Sequence, residues 1–289
     1  MYDMIIIGGG PAGISAALTA ANRHRSVLLL TNDYHANPLA KAHLVTNYPG
    51  LPDVTGAELM ETMDNHVRKA EVTVETKKVV QVMDMGDRFS CATSSEFYEG
   101  RSLILAMGQA PAAALPGEKE YLGRGISYCA TCDGMLYRKK RIAVLGTGPD
   151  APEETNFLAS IGCEVTYFGR GARPAELRDE IPFHKAQRCA VKGDGTRITA
   201  FEADGTEYPA DGVFLLRAGV AADSLVPGLI TNDGHISVDE AMRTSVPGVF
   251  AAGDCTGKPY QIAKAAGQGN IAALEADRWL ESKTERKES

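Results

Sequence analysis

The run Gly8-Gly9-Gly10-Pro11-Ala12-Gly13 constrains the fold of this chain more than any other feature. It follows an apolar stretch, Tyr2 to Ile7, and leads into an Ala-rich stretch, Ile14 to Asn22. Ser26 to Leu30 is then apolar again. Apolar run, glycine turn, helical stretch and second apolar run together make a βαβ unit carrying a dinucleotide fingerprint. The first glycine makes the turn, the second lets backbone approach a pyrophosphate, and the third lets helix pack on strand. Free N–H groups at the helix start then face the phosphates. One element of the fingerprint is missing. Thr31 and Asn32 stand where an acidic residue usually holds the ribose, and they would bind its hydroxyls by weaker hydrogen bonds.

The pattern recurs in mid-chain. Arg141 to Leu145 reads as a strand, Gly146-Thr147-Gly148-Pro149-Asp150-Ala151 as its turn, the stretch to Ile161 as a helix, and Glu164 to Phe168 as the next strand. The run Leu103-Ile104-Leu105-Ala106-Met107-Gly108 closes the first part, and Gly248-Val249-Phe250-Ala251-Ala252-Gly253-Asp254 comes late. The expected fold is therefore α/β: two Rossmann-like (three-layer ββα/βαβ) nucleotide-binding domains, the second inserted in the first. The expected boundaries are 1–112 plus 241–289 for one domain and 113–240 for the other. A length of 289 residues suits that division, at roughly 100–200 residues per domain. The polar tail from Glu281 is expected to fray, with Trp279 just before it as a packing or dimer anchor.

Acidic side chains outnumber basic ones by 37 to 30, a net charge of -7, which argues against nucleic acid as the main ligand. The uncharged stretch Met4 to Asn22 is broken by glycines and Pro11, so it does not read as a membrane span. Asp3 stands where a signal peptide would be positively charged. The six cysteines are mostly scattered, unlike a secreted disulfide framework, so a cytoplasmic protein is expected. Only Cys129 and Cys132 are close, in Cys129-Ala130-Thr131-Cys132-Asp133-Gly134. No second pair completes a zinc site and no histidines have ligand spacing, so no metal is expected. Beside nucleotide-binding units a redox dithiol is the better reading, one thiolate attacking and its neighbour resolving the mixed disulfide. Asp133 can move the proton that thiolate departure requires; the alternative is a helix N-cap. Cys91, Cys163, Cys189 and Cys255 read as small core residues.

With its neighbours, this motif resembles the low-molecular-weight flavin thioredoxin reductases. The residues that carry the likeness are Gly123-Arg124-Gly125-Ile126-Ser127-Tyr128 before the cysteines, the N-terminal glycine run, Asn47-Tyr48-Pro49-Gly50 and the late Gly248–Asp254 segment. The resemblance covers nearly the whole chain. It implies one domain for FAD, one for NADPH, and a homodimer. By position it implies FAD contacts from Gly8, Gly10, Pro11, Ala12, Gly13, Thr31, Asn32, Asn47, Val79, Ala106, Met107, Gly108, Gly253, Asp254, Tyr260, Gln261, Ile262 and Ala263. It also implies that Cys132 faces the flavin, Cys129 attacks the thioredoxin disulfide, and Asp133 donates a proton.

The second nucleotide unit departs from that pattern. Pro149 and Pro152 remove two N–H donors from the turn that would face a pyrophosphate, and Asp150 adds a negative charge there. The His-Arg-Arg cluster that clamps the 2′-phosphate in the NADPH enzymes corresponds here to Gly169-Arg170-Gly171, with Arg173 following; Arg170 and Arg173 remain, so the clamp is damaged without being erased. Losing one bidentate Arg–phosphate contact costs about 1.5–3 kcal/mol. These changes argue against NADPH. The combination is most similar to the ferredoxin-dependent flavin thioredoxin reductases, which lack the NADPH motifs. That likeness implies electrons from reduced ferredoxin via FAD to the Cys129–Cys132 disulfide, and from there to thioredoxin. Ferredoxins are usually acidic, and Arg138-Lys139-Lys140-Arg141 is the densest basic run, read either as a landing patch or as a solvated turn. The competing readings are an NADPH-dependent reductase with a divergent site, an FAD dithiol oxidase, and an FAD-containing redox sensor.

Overall fold

The structure is a computed structural model describing residues 1–288 apart from 94, 109–113, 129, 149 and 218–220, without side chains at 36, 132 and 284–288. Strand β1 (Tyr2–Ile7) is buried from Met4 onward, and helix α1 (Pro11–Asn22) follows the glycine turn. Pro11 sits in the first turn of α1, where its missing N–H costs no hydrogen bond. Strand β2 (Val27–Thr31) runs parallel to β1 with Ile7 opposite Leu30. Helix α2 (Gly56–Lys69) starts at a reciprocal capping box between Thr55 and Glu58. It leads to β3 (Val72–Thr76), parallel to β2. An antiparallel meander, β4 (Val79–Asp84), β5 (Phe89–Thr93) and β6 (Phe97–Leu105), then brings β6 back alongside β1.

The chain next builds a second unit from α3 (Glu118–Tyr121), β7 (Ile126–Ser127), α4 (Ala130–Asp133), β8 (Arg141–Gly146), α5 (Ala151–Ser160) and β9 (Glu164–Gly169). It continues through β10 (Phe183–Lys185), an antiparallel set β11 (Cys189–Gly193), β12 (Ile198–Ala203) and β13 (Thr206–Pro209), and finally β14 (Gly212–Leu216). Its main sheet has the order β10-β9-β8-β14-β7 with every pairing parallel.

The chain then re-enters the first unit through α6 (Ala222–Leu225) and the hairpin β15 (Thr231–Asn232) and β16 (His235–Ile236). Strand β17 (Val249–Ala251) pairs with the C-terminal half of β6, and α7 (Ile262–Glu288) closes the fold. The sheet of this unit reads β3-β2-β1-β6-β5-β4, with β17 added on β6. Its core lies between the sheet and the paired helices α1 and α7, where Ala16, Ala17, Ala20, Ala272, Ala273 and Ala276 are fully buried. Small side chains let those helices approach closely. A Cβ on Gly269 of α7 would stand 2.0 Å from the carbonyl oxygen of Ala12.

The two units are Met1–Ala110 with Ala222–Ser289, and Pro111–Ala221. The second crossing thus falls at 221/222 and not at the expected 240/241. The reason is that α6 packs on β4 and the β15–β16 hairpin on the turn Asp254–Thr256, all within the first unit. The C-terminal tail also differs from expectation. Helix α7 runs on through Glu281 to Glu288, and Lys283 lies over the Trp279 ring at 5.3 Å. Among the described residues no helix is long and apolar enough to cross a membrane.

Candidate functional site

The glycine turn after β1 is shaped by close backbone approach. Gly8 has φ +113° and room for no side chain, because a Cβ would lie 2.2 Å from the Ala106 carbonyl oxygen. On Gly13 a Cβ would lie 1.8 Å from the oxygen of Gly8, so this glycine lets α1 sit directly on the turn. Gly9 faces the Thr31 hydroxyl, with 2.1 Å left for a Cβ. Gly10 caps α1 with no side-chain bond to the helix start. The first N–H groups of α1 are thus left for a ligand, and the helix dipole makes that end attractive to anions.

These groups open into a cavity of about 510 Å³ within the first unit. Of the residues predicted to contact a dinucleotide, Gly8, Gly10, Pro11, Ala12, Thr31, Asn32, Ala106, Met107, Gly108, Gly253, Asp254, Tyr260, Gln261 and Ile262 line it. Four do not. Gly13 lies behind the turn it supports. Asn47 stands behind Gln261, donating from Nδ2 to its Oε1 at 3.0 Å. Val79 is buried in β4, and Ala263 is exposed in the first turn of α7. The sequence reading missed Gly9, Asp33, Tyr34, Asn37, Pro38, Leu39 and Ala265, which also line the cavity. A local signal existed for part of this set. Asp33 and Asn37 each cap a 3-10 turn, accepting from the N–H groups of His35 and Leu39 at 2.9 Å, and Asn-Pro is a turn-initiating pair. Asp33 thereby restores a carboxylate near the end of β2, two residues beyond Thr31.

Asp254 lines the cavity and feels the charge of Lys264 behind it. Burial raises the Asp254 carboxyl above its ordinary range, with Lys264 pulling the other way. Burial also lowers Lys264, opposed by Asp254. Lys264 Nζ donates to the carbonyls of Gly253 at 3.0 Å and Gly257 at 2.6 Å, so it fastens the loop that carries Asp254. Next to them Cys255 is buried, and its thiol is pushed up to about 11 by loss of solvent. Cys91 is pushed to about 12 for the same reason, and Cys163 and Cys189 are also buried and raised. Thiols held protonated in this way are inert core residues, as the sequence suggested.

The cavity fits a dinucleotide. It has glycines where backbone must meet phosphate, an uncapped helix end, and polar side chains from Thr31 to Asn37 where a ribose would lie.

In the second unit Cys129 and the side chain of Cys132 lie outside the described residues. Asp133 is half-buried and heads the 3-10 turn Gly134–Tyr137 without a side-chain cap bond, so the capping alternative is not what it does. Burial raises the Tyr137 hydroxyl pKa, and the charge of Asp133 adds to the shift. Met135 and Leu136 follow at 60% and 68% exposure. Arg138 to Lys140 form the exposed turn before β8.

The second glycine turn differs from the first in what surrounds it. A Cβ on Gly146 would stand 2.1 Å from the Tyr167 hydroxyl, and one on Gly169 would stand 3.1 Å from the Phe183 ring. Aromatic rings therefore pack against the first glycine of this turn and against the end of β9. Arg173 donates from Nη1 to Ile181 O at 2.9 Å and from Nη2 to the carbonyls of Leu177 and Arg178. The sequence left Arg173 as a remaining phosphate clamp; the structure corrects this, since three of its five N–H donors, including both on Nη2, go to the loop of its own unit.

Known proteins resemble this chain along nearly its whole length. A thioredoxin reductase of Listeria innocua is 32% identical over 97% of this chain and 94% of its own length. One from Peptoclostridium litorale is 34% identical over 97% and 98%. Among solved structures, a ferredoxin-flavin thioredoxin reductase from Clostridium acetobutylicum is 38% identical with a TM-score of 0.88, covering 98% of both chains. A thioredoxin reductase from Gloeobacter violaceus is 34% identical with a TM-score of 0.77, covering 97% and 94%. Residues 2–269 match the model for pyridine nucleotide-disulphide oxidoreductases, so the glycine cradle and the inserted second unit are those of a known design, and the chain belongs to that family.

Proposed function

We propose that this protein is a thioredoxin-disulfide reductase that holds FAD in the cavity of its first unit and receives electrons from reduced ferredoxin in preference to NADPH. The observation that carries the choice of donor is Arg173. A guanidinium already donating to three backbone carbonyls has no fork left for a 2′-phosphate. Tyr167 and Phe183 packed against Gly146 and Gly169 support the same reading, as does the likeness to a ferredoxin-flavin thioredoxin reductase.

In this reading Cys129 and Cys132 do the exchange. The Cys129 thiolate attacks the thioredoxin disulfide and forms a mixed disulfide. Cys132 then attacks Cys129 Sγ, which releases reduced thioredoxin and leaves a Cys129–Cys132 disulfide. Asp133 supplies the proton that a departing thiolate needs and takes one up from the thiol that attacks. The exposed Met135 and Leu136, beside the basic turn Arg138 to Lys140, give a protein substrate an apolar and cationic surface next to the dithiol. In the first unit the α1 N-terminus and the glycine backbone would hold the FAD pyrophosphate, while Lys264 fastens the loop that carries Asp254 at the cavity wall. FAD, when bound, couples one-electron supply to the two-electron demand of a disulfide. A homodimer in the cytoplasm completes the reading.

The deciding experiment follows flavin absorbance anaerobically after mixing with NADPH or with reduced ferredoxin, thioredoxin being present in both. Bleaching and thioredoxin reduction with ferredoxin alone is the expected result. Fast bleaching by NADPH would overturn the choice of donor and restore an ordinary NADPH-dependent reductase.

A further inference from the structure

The second unit contains a buried charged network that the exchange chemistry does not use. Glu118 is fully buried and Arg217 is 7% exposed. Arg217 donates from Nη1 to Glu118 Oε1 at 3.1 Å and from Nη2 to Oε2 at 2.7 Å. The Tyr128 hydroxyl donates to Oε1 at 2.9 Å, and the N–H of Leu115 donates to Oε2 at 2.7 Å. Four donors thus meet two carboxylate oxygens, filling their accepting positions. The three side chains come from separate places in the chain. Glu118 follows the entry into the unit, Arg217 precedes its exit, and Tyr128 is bonded through its own carbonyl to Cys129. The entry segment is itself pinned. The N–H of Val191 donates to Pro116 O at 2.9 Å, and Gly117 turns inward at φ +82° with only 2.2 Å between its missing Cβ and Val191 O.

Such a network is a poor way to gain stability, because apolar residues of similar volume usually serve as well or better. Its distinctive product is geometry, since a fully satisfied carboxylate fixes each donor within a few tenths of an ångström. We propose that Glu118, Arg217 and Tyr128 are positioning residues that fix the backbone at Tyr128, the residue before Cys129, and thereby favour the disulfide form of the Cys129–Cys132 dithiol. The proposal rests on the dithiol reading above. A preorganised pair has a high effective concentration of one thiol at the other, which favours the disulfide.

The test equilibrates the flavin-loaded protein in dithiothreitol redox buffers, traps free thiols by alkylation and counts them by mass. Tyr128→Phe removes one hydroxyl and leaves the ion pair intact. A Glu118→Leu/Arg217→Met double variant removes the charges with little change in volume. Both are expected to lower the equilibrium constant for the Cys129–Cys132 disulfide by about tenfold, the factor that one charge-assisted hydrogen bond is worth. Hydrogen exchange should quicken across 126–133 but not in β8 or α5. Equilibrium constants within twofold of the natural protein would overturn the proposal, even with faster exchange, because the network would then be merely structural. Natural protein that forms no Cys129–Cys132 disulfide at any poise would instead refute the dithiol reading, and the positioning role with it.

Discussion

Gly13→Ala puts the strongest demand on the cradle. The added methyl would sit 1.8 Å from the Gly8 carbonyl oxygen, where ordinary contact begins at 3.4 Å. The oxygen is backbone and a Cβ is rigidly fixed to its own backbone, so nothing can swing away, and α1 must lift from the turn by more than about 1 Å. Overpacking of this kind costs about 1–3 kcal/mol, and a rigid backbone clash belongs at the upper end of that range. The cost falls on the geometry that brings Gly9, Gly10 and the α1 N-terminus to the pyrophosphate, so FAD affinity should fall by about two decades. Titration of apoprotein by quenching of FAD fluorescence reads this directly, with a thermal melt of the apoprotein to report the fold. Gly10→Ala is the companion variant. In the apoprotein its methyl meets only the Asn37 side-chain amide, at 3.3 Å, at a backbone φ of -84° that alanine adopts freely, so the thermal melt should stay put. FAD affinity should still fall, because this glycine lines the cavity where backbone must approach the pyrophosphate. If Gly13→Ala binds FAD as tightly as the natural protein, the argument from close backbone approach is wrong.

Other outcomes follow from the same contacts. Arg173→Ala should destabilise the second unit by about 1–2 kcal/mol, since it frees three carbonyls of a half-exposed loop, while any residual NADPH affinity stays the same; a drop in that affinity by isothermal titration would show a phosphate clamp after all. Gly267→Ala, on a helix position of α7 with nothing within 4 Å of the new methyl, should stabilise by up to about 1 kcal/mol through helix propensity alone, measured by denaturant titration. Burial raises the Asp254 carboxyl above its ordinary 3.8, so the folded apoprotein holds that proton more tightly than the unfolded chain. The associated stability is full below about pH 3.8 and is lost as pH rises through the folded value. Asp254→Asn lacks that loss, so its melting temperature relative to the natural protein should climb between pH 4 and pH 7; a constant difference would contradict the assignment. Finally, Cys129→Ser and Cys132→Ser should each abolish multiple-turnover thioredoxin reduction while leaving FAD bound, as read by activity and flavin absorbance together.

Local information sufficed for the parts of this protein that are made locally. The strand, turn and helix from Tyr2 to Asn22 could be placed within a few residues, because apolar runs bounded by glycines admit few other conformations. The same held for Arg141 to Phe168, where the helix expected to reach Ile161 ends at Ser160. Most cavity residues were legible too, since they cluster at the glycine turn, after β6 and around Asp254. What escaped depends on partners remote in the chain. Asp33 to Leu39 carry turn signals, but only the parallel pairing of β2 with β1 turns them toward the glycines. Arg173 reads as a free cation until the loop from Leu177 to Ile181 closes around it. Glu118 and Arg217 are ordinary charges 99 residues apart until folding buries them together. Composition and spacing determine which residues can take part in chemistry. Tertiary structure decides which of them keep a free donor or acceptor, because a buried polar group is taken by the nearest partner that the fold provides.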